Sequence, residues 1–244
     1  MVFLCLGYLN YAQKADSIFK VANSFYQKGA YKDALKNYKQ IEKLQLESAD
    51  LYYNLGNTYY KLNQVAPAIY NFVKALQLDP NNDDYKNNLT IAQRMTIDKI
   101  DILPKTFLQK LDSTYIKSLS FENWAFVSIT SIILFVLFFL IYYFSVNPGK
   151  KRLFFIFAII SLIITLFSFS FAYSGYNYSK HNKPAIIFSA KASVKNAPTL
   201  NSTEAFELHE GTKVVILEKV DGWLKIKLSD GKIGWISKND LKSL

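Results

Sequence analysis

Three patterns of hydrophobic and polar positions follow one another along the chain. In residues 13–97, apolar side chains recur every three or four positions, as on one face of an amphipathic helix. Two later segments, residues 124–144 and 153–173, are each 21 residues long and contain no charged side chain. From residue 184 onward, apolar and polar residues alternate in short runs, which is the period of strands. The chain is therefore predicted to combine an all-α region, two apolar helices and a small all-β domain.

The helical region contains an internal repeat of 34 residues. Shifted by that period, the segment Ala22 to Tyr26 aligns with Gly56 to Tyr60, and small and aromatic residues coincide. Two antiparallel helices need such an alternation, because small side chains let them approach while rings fill the remaining space. Gly29 and Asn63 are predicted to form the turn within each repeat, since both residue types tolerate positive φ. The pattern over residues 15–82 resembles the tetratricopeptide repeat (TPR), which implies an all-α solenoid.

The resemblance also implies a binding face formed by the first helix of each repeat, with a capping helix near residues 82–97. We expect this face to include two aromatic residues and four asparagines: Phe19, Tyr53, Asn23, Asn54, Asn57 and Asn88. Asparagine amides can both donate hydrogen bonds to an extended peptide backbone and accept them from it. The alternative is that these asparagines only solvate the face or cap helices. A carboxylate clamp is not expected, because Phe19, Asp84 and Asn88 stand where clamp-type repeats carry basic residues.

The two uncharged segments are predicted to form a transmembrane hairpin. Each contains 14 Leu, Ile, Val or Phe residues, which on the insertion scale contribute on the order of −4 to −8 kcal/mol per segment. The predicted connection, residues 145–152, ends in Lys150, Lys151 and Arg152. Short basic loops stay in the cytoplasm, so the connection is predicted to be cytoplasmic and the segments on either side of the hairpin periplasmic.

Two further segments are interpreted from their amphipathic or apolar character. The apolar run Val2–Leu9 is too short to span a bilayer, and residues 1–12 are predicted to be a signal peptide. A buried N-terminal strand or helix turn is the alternative. Residues 98–123 are amphipathic and are predicted to form a helix at the membrane surface, with a simple linker as the alternative.

The C-terminal region, residues 184–244, is predicted to contain five or six strands in a small barrel. Asp221-Gly222 predicts a hairpin turn, and residues 201–204 are predicted to belong to a long loop. Its two Gly-Trp pairs, the second following an Asp-Gly turn, resemble those of a bacterial SH3 domain. The resemblance implies a ligand groove lined by Phe206, Trp223 and Trp235. The alternative is that the two tryptophans are core or half-buried strand residues.

Composition and charge favour a binding protein over an enzyme. The chain carries 29 Lys and Arg against 19 Asp and Glu, but these are spread rather than gathered into a basic stripe, so no nucleic-acid partner is predicted. One cysteine and two histidines exclude a thiolate cluster and offer little for a triad or a His-rich metal site. His181 and His209 are both predicted to be exposed surface residues. No catalytic residue, metal site or cofactor is predicted.

The order of these elements resembles the BatE-type TPR proteins of the Bacteroides aerotolerance operon. The resemblance implies a scaffold in the bacterial inner membrane, with its TPR and SH3 domains in the periplasm. It implies protein partners, among them von Willebrand factor A-type Bat proteins, in addition to the lipid bilayer. A cell-wall anchor whose SH3 domain binds peptidoglycan is the alternative function.

Overall fold

The computed structural model describes residues 2–100, 119–181 and 183–244. The chain divides into two compact units, one formed by Met1–Ile102 with Lys183–Leu244 and the other by Leu103–Asn182. The N-terminal helices and the C-terminal strands therefore belong to one unit, although a long helical hairpin separates them in sequence. Most of the predicted interfacial segment, residues 101–118, lies outside the described residues.

Helices fill the first hundred residues of the chain. Their bounds are α1 Val2–Gln27, α2 Tyr31–Lys43, α3 Ala49–Lys61, α4 Val65–Leu78 and α5 Asp83–Gln93. The φ angle is +76° at Gly29 and +57° at Asn63, so both predicted turns are confirmed. Helix α1 continues through Ala12 without a break, and the signal peptide over residues 1–12 stays a prediction.

Small residues bring the helices of each repeat together as the sequence predicts. Ala22, Ala34 and Ala68 are fully buried. At Gly56, a Cβ atom would lie only 2.6 Å from the ring of Phe72, so no larger residue fits without displacing that ring. The stack ends with α5, which begins where the Asn82 side chain accepts the backbone N–H groups of residues 84 and 85.

The second unit contains two long helices, α6 Phe121–Phe144 and α7 Pro148–His181. Each contains an 18-residue window with a mean hydropathy of 2.6, of which only 11% and 17% respectively is buried. Both helices are thus long and apolar enough to cross a membrane, and their apolar side chains are largely exposed. A core helix of a soluble protein would instead be mostly covered.

The connection between these helices is shorter than the sequence predicts. It covers residues 145–147, and Lys150, Lys151 and Arg152 lie in the first turns of α7. The side chain of Asn147 accepts the backbone N–H groups of Gly149 at 2.9 Å and Lys150 at 3.4 Å. Because Asn147 caps the helix and proline suits its first position, α7 begins earlier than residue 153.

The C-terminal part is one antiparallel sheet of seven strands in the order β3-β2-β6-β5-β4-β1-β7. The strands are β1 Lys183–Ile187, β2 Lys191–Lys195, β3 Glu204–His209, β4 Lys213–Val220, β5 Trp223–Lys227, β6 Ile233–Ser237 and β7 Leu241–Ser243. The predicted fold class, with an all-α region, two long apolar helices and a small all-β barrel, is confirmed.

Two strands were not predicted, and both carry a weak pattern. Within β3 only Leu208 is fully buried, so the strand shows little alternation, and Glu204 begins a strand rather than ending a loop. Strand β7 has three residues and is held by pairing with β1. The predicted hairpin turn is confirmed, because φ is positive at both Asp221 and Gly222, as a two-residue turn requires.

Candidate functional site

The first helices of the repeats, α1 and α3, and the capping helix α5 bring the four predicted asparagines together in two pairs. The Nδ2 of Asn54 donates to Oδ1 of Asn23 at 3.2 Å. The Nδ2 of Asn88 donates to Oδ1 of Asn57 at 2.8 Å. Each residue of the second pair lies one repeat after its counterpart in the first. The four asparagines therefore form a periodic ladder along the face. They are half-buried, so they hydrogen-bond to one another and are also partly exposed to solvent.

The first pair is closed by a tyrosine. The hydroxyl of Tyr38 on α2 donates to Oδ1 of Asn23 at 2.5 Å. Burial of Tyr38 raises its pKa to about 12, with a smaller contribution from Tyr26, so the hydroxyl stays protonated at neutral pH. With a second bond from Asn54, the Asn23 carbonyl accepts two hydrogen bonds, which is the capacity of its two lone pairs.

The second pair lacks a hydrogen bond equivalent to the one from Tyr38. The repeat counterpart of Tyr38 is Phe72, which has no hydroxyl to donate to Asn57. On its other side, Asn88 also donates to the hydroxyl of Tyr53 at 2.9 Å. Asn57 therefore keeps an acceptor site that its counterpart Asn23 has used.

A cavity of about 340 Å³ adjoins this second pair. Aromatic rings form much of its wall, with two amides, one lysine and one isoleucine, and its lining residues are Tyr26, Tyr53, Asn57, Tyr60, Lys61, Phe72, Asn88 and Ile91. A mainly apolar wall with a few polar groups is the usual construction of a binding pocket. Its size and chemistry suit one large apolar side chain, with an amide near enough to bond the backbone that carries it.

Phe19 does not share this pocket. Its ring packs edge-on against Tyr38 with the centroids 5.8 Å apart. It lines a second cavity of about 280 Å³ between α1 and the start of α3. Of the six residues predicted for the face, the structure brings Tyr53, Asn57 and Asn88 to the larger cavity and leaves Phe19 beside the first asparagine pair.

Sequence reasoning missed four residues of the larger cavity: Tyr26, Tyr60, Lys61 and Ile91. A signal for two of them was present, because Tyr26 and Tyr60 are counterparts one repeat apart and both follow the small residue of their helix by four positions. Lys61 and Ile91 carry no repeat signal, since their counterparts are Gln27 and Asn57.

In the barrel, both predicted tryptophans lie on the outer face of strands β5 and β6. Their neighbours Leu224 and Ile236 point inward and are buried, whereas Trp223 and Trp235 are half-buried. Lys225 stands opposite Trp235 in the register, with its Nζ 5.6 Å from the centre of the indole. The two tryptophans are therefore diagonal neighbours on one face, with a lysine beside them.

Phe206 is not part of this outer face. It stands opposite Val194 in the register, and Val194 is fully buried. Directly opposed residues of antiparallel strands point to the same side, so Phe206 packs against the barrel core instead of joining the tryptophans.

The prediction that His209 is an exposed surface residue is wrong. Its Nδ1 lies 2.7 Å from Oδ1 of Asp98, and its side chain is 26% exposed. The partner lies 111 positions away in sequence, so no local pattern could indicate the contact. His181 has no described side chain.

Comparisons with known families match both the N-terminal helices and the C-terminal strands. Residues 49–82 match the tetratricopeptide repeat, residues 22–63 match a TPR repeat model, and residues 190–242 match the bacterial SH3 domain. A comparison with curated proteins finds no significant match. Both matched families are typically interaction domains rather than catalytic ones. The chain carries TPR repeats and a bacterial SH3 domain, as its sequence predicts.

Proposed function

We propose that this protein is an adaptor of the bacterial inner membrane whose TPR repeats bind an extended segment of a partner protein. The observation that carries the proposal is the cavity beside Asn57 and Asn88, where aromatic walls meet an amide with an unused acceptor site. A side chain of the partner would fill the cavity, and a backbone N–H beside that side chain would donate to Asn57. Burying a backbone amide is favourable only where it finds such an acceptor.

The membrane anchor is proposed to be the α6–α7 hairpin. Its exposed apolar side chains suit the interior of a bilayer, and positions 124–144 and 153–173 contain no Asp, Glu, Lys, Arg or His. Tyr143 near the end of α6 and Tyr173 in α7 are well exposed, as residues at a membrane interface are.

A periplasmic location is proposed for both interaction domains. The basic residues at positions 150–152 favour a cytoplasmic connection between the spans. The contact between Asp98 and His209, which flank the hairpin in sequence, supports the proposal that both domains lie on the same side of the bilayer. A signal peptide over residues 1–12 would deliver the first domain to the periplasm. Among partners there, von Willebrand factor A-type Bat proteins follow from the BatE resemblance.

A second candidate function is binding of the cell wall by the SH3 domain. It is favoured by the outward-facing Trp223 and Trp235 with Lys225 beside them. Indole rings can stack on sugar or peptide groups, and a lysine can pair with the carboxylates of cell-wall peptides.

One pair of variants in the full-length protein distinguishes the adaptor function from the cell-wall function. Phe72→Tyr adds the hydroxyl that closes the first asparagine pair and should weaken crosslinking to a protein partner in native membranes by about fivefold, the equivalent of one hydrogen bond of about 1 kcal/mol. Trp235→Ala should leave that crosslinking unchanged.

The second assay measures how much purified muropeptide each variant retains, and it tests the cell-wall function. If Trp235→Ala abolishes retention and Phe72→Tyr has no effect on either assay, the cell-wall function replaces the adaptor function. Tyr38→Phe is the matched control, since it changes the same hydroxyl at the other pair.

A further inference from the structure

The carboxylate of Asp98 links the SH3 domain to the helical repeats through hydrogen bonds. Asp98, in the segment after α5, accepts hydrogen bonds from the backbone N–H of His209 at 2.7 Å and from the hydroxyl of Thr212 at 2.6 Å. Its other oxygen lies 2.7 Å from Nδ1 of His209. Partial burial raises the pKa of Asp98, but the bonds from Thr212 and His209 outweigh it and hold this pKa below its ordinary value.

At the same turn, the barrel backbone approaches α4 more closely than a side chain would allow. Gly211 has a φ of +86° and is buried. A Cβ at this position would lie 2.8 Å from Thr96, 2.9 Å from Val65 and 3.0 Å from Ile69. The glycine is therefore needed both for its backbone conformation and for the close contact with the helices.

Strand β1 and the C-terminal strand extend the contact along α4. Ile186 of β1 is fully buried within the apolar core of the helical repeats. Phe188 packs edge-on against Tyr70 with the ring centres 5.7 Å apart. Lys242 of β7 places its Nζ 4.4 Å from the centre of the same tyrosine ring. The contact is thus apolar at its centre, with a cation–π contact and a hydrogen-bonded carboxylate beside it.

These contacts account for how a short repeat array can be stable. A stack of this kind usually needs about three repeats, because each repeat buries its apolar surface against the next. Among residues 2–100, the described part of the helical region, there are two repeats followed by the single helix α5. We propose that the SH3 barrel covers the end of the stack as a further repeat would, and that its docking through Asp98 and Gly211 stabilises α4 and α5.

The docked barrel uses a different surface from the proposed binding site, because its contacts are with α4 and the segment after α5. The candidate ligand cavity is instead lined mainly from α1, α3 and α5. Only Phe72 of α4 reaches that cavity, and it is not among the residues that meet the barrel at Gly211. A docked SH3 domain therefore leaves the cavity free.

Two glycines of the barrel provide a matched test in the full-length protein in lipid nanodiscs. Gly211 and Gly222 have nearly equal φ angles, +86° and +84°, so alanine strains the backbone similarly at both. Only at Gly211 would the new Cβ strike the helices, because nothing lies within 4 Å of it at Gly222. Hydrogen–deuterium exchange then reports the stability of each helix separately.

We expect Gly211→Ala to accelerate amide exchange in α4 and α5 by about tenfold or more, and Gly222→Ala to affect only the β4–β5 turn. Unchanged exchange in α4 and α5 of Gly211→Ala, or an equal increase in both variants, would overturn the proposal.

Asp98→Ala provides a second variant that changes no barrel residue. It should accelerate exchange in α4 and α5 while β5 and β6 stay protected, since the described hydrogen bonds of Asp98 go to His209 and Thr212. If Gly211→Ala does not fold, Asp98→Ala decides the question, and unchanged α4 and α5 would show that the two repeats need no support from the barrel.

Discussion

The two asparagine pairs of the repeat face differ by one hydroxyl group. In the first, Asn23 accepts from both Asn54 and Tyr38. In the second, the tyrosine is replaced by Phe72, and a cavity of about 340 Å³ adjoins the pair. A single aromatic difference between the repeats thus decides whether the asparagine carbonyl accepts a second hydrogen bond from within the stack.

The largest effect on this comparison is expected at Gly56, against which the ring of Phe72 packs. Gly56→Ala puts a Cβ 2.6 Å from that ring, which is 1% exposed and would have to shift. Overpacking of this kind should lower the free energy of unfolding by about 1–3 kcal/mol. The measurement is thermal unfolding in detergent micelles, monitored by circular dichroism.

The counterpart substitution at the first pair provides the control. Ala22→Gly removes a methyl group instead of adding one, and should cost about 0.5–1 kcal/mol through helix propensity. If Gly56→Ala melts at the wild-type temperature, the Phe72 ring moves freely and the shape of the cavity is not fixed by its packing.

A smaller effect is expected when the first pair loses its closing hydroxyl. Tyr38→Phe makes the first pair resemble the second and removes the bond to Asn23, which should destabilise the stack by about 1 kcal/mol. Tyr60→Phe removes a hydroxyl outside both pairs and serves as the control. Equal melting temperatures for the two variants would mean that the hydroxyl of Tyr38 does not stabilise the first pair.

The reverse change should close the second pair. Phe72→Tyr supplies the missing donor to Asn57, and we expect a gain in stability of about 0.5 kcal/mol, at the lower end of the range for one hydrogen bond. The same unfolding measurement applies. A clear loss of stability would show that the two pairs are not equivalent in geometry.

The last expected effect is a pH dependence of the stability difference between wild type and Tyr38→Phe. Burial raises the pKa of Tyr38 to about 12, above its value in the unfolded chain, so the native state favours the neutral hydroxyl. The stability from this group is fully present below about pH 10, the ordinary tyrosine value, and is lost as the pH rises toward 12. Wild type should therefore lose its advantage over Tyr38→Phe in this range, and a constant difference would contradict the assignment.

Much of the fold could be predicted from the sequence because its hydrophobic and small residues recur periodically. The 34-residue offset locates the helices, the turns at Gly29 and Asn63 and the asparagine ladder. It also pairs Tyr38 with Phe72. What the sequence does not show is that the tyrosine hydroxyl reaches Asn23, because that depends on a distance between side chains of different helices.

The contacts between domains could not be predicted for a different reason. Asp98 and His209 lie far apart in sequence, and neither the repeat period nor the alternation within β3 relates them. Strands β3 and β7 were missed because one alternates weakly and the other has three residues. In each case the structure depends on packing against a distant partner, which leaves little trace in the local pattern.

The most direct test of the binding site uses a photoreactive amino acid placed in turn at Tyr60 and at Phe19 in native membranes. Tyr60 lines the cavity of the second pair, whereas Phe19 lies beside the first. We expect a crosslinked protein partner from position 60 and none from position 19, with the yield at 60 reduced by Phe72→Tyr. Crosslinking from position 19 alone, or a yield at 60 that Phe72→Tyr leaves unchanged, would contradict the account.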